Sequence, residues 1–248
     1  MPNRTFANPA NRIAIGVKNE SSLHNDLKRR YAGEGGGVEV PVANAVADGI
    51  TATGEYIEVQ TGNFAALQKK VAHITALGGK IRIIHPIAVN KRLETYDSRG
   101  TLIANRKSPK HGTVLNVFDA LVHAPDLLVT RGVTLEIVMV DIAERRIKDG
   151  KGAWRRHGVS IGDKSLVLIR ENHILLKPAD WLRFLPFAKD EEFTVSSLAE
   201  RLGAKKTLAS KAVYVFSKTG IVKRTGKRGN AHVYAAQAEC GEYPFSGK

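Results

Sequence analysis

Residues 45–61, AVADGITATGEYIEVQT, decide how the rest of the chain is read. Val38 to Ile50 alternates loosely and is full of Val and Ala. Glu55 to Thr61 is rich in strand formers, and Thr51 to Gly54 supplies turn chemistry between them. A hairpin centred on Thr53 pairs positions whose numbers sum to 106, which sets Asp48 opposite Glu58 with Cβ atoms about 5 Å apart. Gln60 lies two residues beyond Glu58 and shares its face. Two carboxylates so close repel unless a cation stands between them, and oxygen ligands at that spacing suit Mg²⁺ or Mn²⁺. The backbone carbonyl of Val59 offers a third ligand. The opposite registry would present Glu39 and Glu55 instead. Plainer readings also hold: Asp48 before Gly49 as a turn residue, Glu58 on the exposed side of a half-buried strand, and Glu20 as a first-turn acid favoured by the helix dipole.

The flanks give the motif its context. Asn19 to Tyr31 reads as a helix with Glu20, Leu23, Leu27 and Tyr31 on one face, ended by the AGEGGG loop. Phe64 to Leu77 reads as a second helix on the stripe Phe64, Leu67, Val71 and Ile74, stopped by Gly78-Gly79. Lys80 to Val89 follows as a buried strand. Beyond it, Leu93 to Arg106 reads as a hairpin around Ser98-Arg99-Gly100, Asn116 to Val122 as a helix and Val133 to Ile142 as a strand. The stretch KSLVLIRENHILLKP fits a helix or a strand pair.

Glu20 in a leading helix, then Asp48, then Glu58-Val59-Gln60, then a helix and a strand, resembles the PD-(D/E)xK, restriction-endonuclease-like nucleases. The resemblance covers residues 19–89. It implies that Asp48 and Glu58 bind the catalytic divalent metal, Mg²⁺ or Mn²⁺, that Gln60 stands at the position of the motif Lys, and that Glu20 is the helix carboxylate. Two departures are visible. Ala47 replaces the Pro before the Asp, and Gln60 can hold a water by hydrogen bonding but brings no positive charge. Some members of that family place their lysine on the following helix, where Lys69 and Lys70 lie.

The chain has 38 Lys and Arg against 24 Asp and Glu, a formal charge of +14, so its field attracts polyanions. One cysteine, Cys240, excludes an internal disulfide and a cysteine-rich zinc site. The eight histidines show no H-E-x-x-H spacing, and no phosphate-binding glycine loop or G-x-S-x-G elbow occurs. His85 reads as a hydrogen-bonded core histidine. No run reaches the roughly 18 apolar residues of a membrane span, and the start, MPNRTFANPANR, lacks an apolar signal stretch. A soluble, cytoplasmic protein without a membrane partner is expected.

Basic loops mark the phosphate-binding surfaces expected of such a chain: Lys107 and Lys110 in RKSPKHG, and Arg155 and Arg156 beside Trp154, whose ring suits stacking on a base. From Arg201 to Gln237 there are nine Lys or Arg and no acid. A helix at Ala179 to Leu185, VSSLAERLG capped by Thr194, a helix from Lys205 to Lys218, and the pair IVKR and AHVY around Thr225 to Asn230 together resemble a winged helix-turn-helix. That resemblance would turn Lys205, Lys206, Thr207, Ser210 and Lys211 to DNA and put Lys227 and Arg228 at the wing tip.

The expected fold is thus α/β, a restriction-endonuclease-like mixed sheet flanked by helices, plus a small α+β winged-helix domain. The divisions are 12–178 for the core, with 91–178 as its hairpin and basic-loop extension, 179–238 for the winged helix and 239–248 for a tail. The expected function is a metal-dependent nuclease that acts on nucleic acid, DNA before RNA, with a homodimer left open. The competing readings are a nuclease-like DNA-binding regulator without activity and an RNA-processing or RNA-binding factor.

Overall fold

The computed structural model describes residues 20–42 and 45–237. The N-terminal arm, the proposed helix start at Asn19, Cys240 and the 239–248 tail lie outside the described residues.

Helix α1 (Ser22–Ala32) begins where the Ser21 side chain accepts a hydrogen bond from the His24 N–H, and stops at Gly33, whose φ of 68° suits glycine. The stretch expected as one strand over Val38 to Ile50 is two, β1 (Gly37–Val42) and β2 (Ala45–Ile50), which pair antiparallel from Gly37–Ile50 to Val42–Ala45. Strand β3 (Tyr56–Val59) then pairs with β2 through Gly49–Ile57 and Ile50–Tyr56, both of which sum to 106. This is the expected hairpin register, and the ladder ends at Gly49–Ile57, one pair short of Asp48 and Glu58.

Helix α2 (Gln68–Ala76) leads into β4 (Ile81–Tyr96), whose last residues turn back into β5 (Leu102–Lys107). The strand and hairpin arm that the sequence presents separately are one 16-residue strand. Its continuity has a physical cause in β6 (Val133–Lys148), which pairs with it in parallel from Ile81–Val133 to Tyr96–Ile147. The short α3 (Val117–Leu121) lies between them in the chain. Strand β7 (Val159–Leu175) settles the ambiguous KSLVLIRENHILLKP stretch: it is one 17-residue strand, antiparallel to β6 along its length, with three register shifts. The order is β1-β2-β3-β4-β6-β7 with β5 on β4, a mixed sheet flanked by helices.

The two faces of the sheet bury different elements. Leu23 and Leu27 of α1 pack on Ile57, Val59, Ile84, Val138 and Val140. On the opposite face Val71 and Ile74 of α2 and Phe118 of α3 join Ile81, Ile83 and Ile137. Odd and even positions of β4 thus divide between two cores, as strand geometry requires.

The C-terminal part opens with a 3-10 helix at Pro178–Phe184 in place of the expected α-helix over Ala179–Leu185. Pro178 sits at its start, and the Asp180 carboxylate accepts from the Leu176 and Lys177 N–H groups just ahead of it. Strand β8 (Phe193–Thr194), helices α4 (Val195–Arg201) and α5 (Lys206–Lys218) and strands β9 (Val222–Arg228) and β10 (Ala231–Ala236) follow, and the strands form a sheet ordered β8-β10-β9. Thr194 caps α4, as its sequence indicates. This part shares one hydrophobic cluster with the main sheet, since Phe118 has ring centroids 5.1 Å from Phe216, 5.9 Å from Phe184 and 6.0 Å from Trp181. No helix among the described residues is long and apolar enough to cross a membrane.

Candidate metal centre and its cleft

Glu20, His24 and Lys28 recur every four residues, so Glu20, just ahead of the Ser21 cap, and the first two turns of α1 line up one polar stripe. Leu23 and Leu27, one position back in each case, hold that helix on the sheet and thereby fix the stripe over β2. His24 Nε2 stands 3.2 Å from Asp48 Oδ2, and Lys28 Nζ lies 2.9 Å from Glu20 Oε2 and 3.8 Å from Asp48 Oδ1. The Val59 N–H donates to Asp48 Oδ2 at 2.7 Å. Ligand atoms of Glu20, His24 and Asp48 all fall within 4.8 Å of one another, a group that could hold a divalent cation.

One atom in this group is left over. His24 Nδ1 is buried and has no hydrogen-bond partner among the described residues. Glu20 Oε2 is 3.2 Å from it, yet the pair lacks hydrogen-bond alignment. A buried ring nitrogen without a bond is costly, and a cation beside two carboxylates is one way to satisfy it. The donor set of one imidazole and two carboxylates fits a first-row divalent ion.

The charges are strongly coupled. The hydrogen bond to Asp48, reinforced by the charges of Asp48 and Glu20, holds His24 above its ordinary pKa despite burial. Burial by itself would raise Asp48, but the His24 hydrogen bond, the Val59 amide and the Lys28 charge together bring it below the usual carboxylate range. Lys28 is raised as well: its burial is outweighed by Glu20, Asp48 and Glu39.

Stability should report these shifts. The raised His24 contributes fully below its unfolded pKa of about 6.5 and loses that contribution as pH rises through its folded value. The depressed Asp48 contributes above its unfolded pKa of about 3.9 and loses that as pH falls through its folded value. In metal-free buffer the stability gap between wild type and Asp48→Asn is therefore expected to be widest between about pH 4 and pH 6.5. Urea titrations across pH 3–9 check this, and a flat gap would show that the pair carries no linkage.

Glu58 stands apart from that group. Burial, and then the charge of Asp48, push its carboxyl up, against the pull of Lys70. Lys70 Nζ donates to Glu58 Oε1 at 2.7 Å and Oε2 at 2.6 Å, and to the Val46 carbonyl at 2.7 Å. Asp48 therefore meets the cations of α1, and Glu58 the cation of α2. This differs from the Asp48, Glu58 and Val59-carbonyl set that the sequence points to: Val59 contributes its N–H, and His24 takes the place of Glu58. Gln60 is also turned elsewhere, with its side-chain amide donating to the Asn63 carbonyl and its own carbonyl 2.6 Å from His85 Nδ1. The rival acids have other partners. Glu55 binds Arg82 at 2.9 Å, and Glu39, with φ of 55°, lies exposed 3.6 Å from Lys28.

Beside Glu20 and His24 opens a cleft of about 820 Å³. Pro86 and Ala88 of β4, Val140 and Ile142 of β6, and the charged Lys91, Asp163 and Lys164 also line it. Lys91 also bonds the buried Glu144 at 3.1 Å.

The expected nucleic-acid contacts are dispersed. Lys107, Lys110 and Arg155 are exposed, and Arg156 is half-buried with its Nε donating to the Val159 carbonyl. Lys205, Lys206, Thr207 and Ser210 are exposed at the start of α5, as are Lys227 and Arg228 at the end of β9. Lys211 is the exception. Its Nζ lies 2.6 Å from Asp119 on α3, so its charge is engaged in packing α5 on the main domain.

Sequence reasoning passed over His24 and Lys28. The signal was present in Glu20-x₃-His24-x₃-Lys28, a polar stripe one residue out of phase with the apolar one, and it went unread because Glu20 was grouped with Leu23 and Leu27.

A family model described as "Domain of unknown function (DUF8091)" matches residues 21–176. The match runs from the cap of α1 to just past β7 and takes in His24, Asp48, Glu58 and Lys70. The chain is also similar to an "Uncharacterized protein" of Treponema pallidum (strain Nichols), 22% identical over 222 residues, which cover 90% of this chain and 87% of that protein. No solved structure matches.

Proposed function

The chain belongs to the family described as Domain of unknown function (DUF8091), and on that premise we propose that it is a metal-dependent nuclease of restriction-endonuclease-like architecture that hydrolyses phosphodiester bonds, in DNA before RNA. The observation that carries this reading is the convergence of Glu20, His24 and Asp48, the first two of which line a cleft, with an unsatisfied nitrogen among them.

Glu20, His24 and Asp48 would hold the ion. Mn²⁺ fits better than Mg²⁺, because an imidazole donor suits first-row metals while Mg²⁺ prefers oxygen alone. A divalent ion held there supplies Lewis-acid stabilisation of charge growing on a phosphoryl oxygen. The remaining parts belong to the chain itself. The Val59 N–H and Lys28 fix the Asp48 carboxylate, so its orientation is set before any ligand arrives. Burial and the Asp48 charge raise the pKa of Glu58, which makes it a stronger base than an ordinary carboxylate. Lys70 brings to Glu58 the positive charge that Gln60 lacks, and does so from the helix after the strand. Lys91 and Lys164 line the cleft where a phosphate backbone would run.

The C-terminal part completes the reading as a winged helix. The exposed N-terminal turn of α5, with Lys205, Lys206, Thr207 and Ser210, is the groove-facing segment, and Lys227 and Arg228 form the wing. Lys211 has no place in that surface, because Asp119 holds it.

A second reading, a DNA-binding regulator without activity, draws on one feature. His24 and Lys28 oppose Glu20 and Asp48, and Lys70 opposes Glu58, so the acids are balanced without a metal.

The metal site has a simple check. With Mn²⁺ at a hundredfold excess over Kd, mass action should raise the Tm of wild type by about 5–10 °C, and Mg²⁺ should do less. The Glu20→Gln/Asp48→Asn protein should show no shift. An equal shift in the double variant would remove the site.

A further inference from the structure

Strands β6 and β7 are joined at a tip spanning 149–158, beyond their last ladder pair, Lys148–Val159. At that tip Trp154 is 81% exposed, the largest exposure among the big hydrophobic side chains described. The chain has only one other tryptophan, Trp181, and that one is 2% exposed in the core. An indole left in water forfeits the burial that normally recommends it, so its position calls for a partner.

The exposure is not that of a slack loop. The Gly152 N–H donates to the Gly158 carbonyl at 3.0 Å, and the Arg156 Nε to the Val159 carbonyl at 3.1 Å. Asp149 accepts from the Ser160 hydroxyl at 2.8 Å and from the Lys151 N–H at 3.0 Å. A side chain at Gly152 would overlap the Val159 carbonyl, with a Cβ only 1.9 Å from that oxygen. His157, at φ of 51°, finishes the turn. The indole is thus presented by a closed, hydrogen-bonded tip.

Its surroundings indicate the partner. The Arg155 guanidinium carbon lies 5.6 Å from the Trp154 ring centroid. Lys151 and Arg155 are exposed, and the one acid of the tip, Asp149, is engaged within the loop. An open aromatic face beside cations matches a base with its phosphate, since the ring stacks and the cations replace counterions. A base inside a duplex has both faces covered. We propose that the β6–β7 tip is a stacking platform for an unpaired nucleobase, so that the chain engages nucleic acid at single-stranded stretches, ends or junctions. This rests on the reading of the ligand as nucleic acid, and adds which structural class it is.

The two tryptophans make the test direct. Intrinsic fluorescence of the full chain is titrated with a single-stranded oligonucleotide, with a closed hairpin duplex without unpaired ends beyond its loop-sealing linkers, and with anionic phospholipid vesicles, all in metal-free buffer so that nothing is cut. Quenching by the single strand is expected, with little from the duplex and none in Trp154→Phe, where only Trp181 reports. Trp154→Ala should weaken single-strand binding by roughly 5- to 150-fold, while Trp154→Phe keeps most of it. The position is exposed, so both variants should fold as wild type, which circular dichroism verifies. Equal quenching by the duplex, or unchanged affinity in Trp154→Ala, overturns the platform. A blue shift on vesicles without quenching by the single strand overturns it in favour of a membrane surface. If the platform fails while Mn²⁺-dependent cleavage persists, only this inference falls. If no nucleic acid binds at all, the nuclease reading falls with it.

Discussion

Asp48→Asn protein should cleave nucleic acid at least about 100- to 1,000-fold more slowly than wild type at saturating Mn²⁺. The substitution is nearly isosteric. It removes the charge that pairs with His24 and Lys28 and the anionic ligand the metal would use, while the amide can still accept from the Val59 N–H. Nucleic-acid binding should be nearly unchanged, because the basic surfaces lie elsewhere. The check is single-turnover cleavage beside a binding isotherm. Cleavage unchanged in this variant would locate the chemistry at another site or in a contaminant.

Lys70→Met should separate two accounts of the missing motif lysine. The ammonium bonds both oxygens of a carboxylate that is 7% exposed. Removing one partner of such a pair leaves the other buried and uncompensated, at a cost of about 3 kcal/mol. The loss should be largest at neutral pH and shrink in acid. Glu58 already sits above its ordinary pKa, and a carboxyl raised by folding loses stability as pH rises through its folded value. Without Lys70 that raised value climbs further. Cleavage should fall by orders of magnitude in Lys70→Met yet only slightly in Gln60→Ala, since Gln60 points to Asn63 and away from the carboxylates. Denaturant titrations and cleavage rates of both variants decide the matter. A larger loss in Gln60→Ala would return the motif role to that residue.

How far the sequence reached can be judged from particular residues. The 106 register was legible because Thr51 to Gly54 is unambiguous turn chemistry and a one-residue slip would turn Ile57 out of the core. The mixed sheet with flanking helices followed from the helix, strand, strand, helix, strand order. The length of β4 and β7 was not legible. The outer half of β4 carries Lys, Arg and Glu and that of β7 Gly, Asp and Lys in place of an apolar alternation, and pairing with β6, and for β4 also with β5, carries the strands onward. The centre was legible in part. Asp48 and Glu20 were reachable from spacing, whereas which cation each acid meets depends on the placement of α1 and α2 on opposite faces of the sheet, which a local pattern does not encode. His24 and Lys28 belong to that class. Gln60 stands where strand alternation puts it in sequence, but β3 ends at Val59 and the chain turns there toward Asn63.

The central claim, a metal-dependent phosphodiester hydrolase, meets its most direct test in cleavage of a mixed panel by the purified full chain. Single-stranded, duplex, branched and RNA substrates are incubated with Mn²⁺, with Mg²⁺, and with Mn²⁺ after chelation. The account predicts cleavage with Mn²⁺, less with Mg²⁺, and none after chelation or in Asp48→Asn. A wild type that binds both Mn²⁺ and nucleic acid yet cuts no member of the panel would contradict it and leave the regulator.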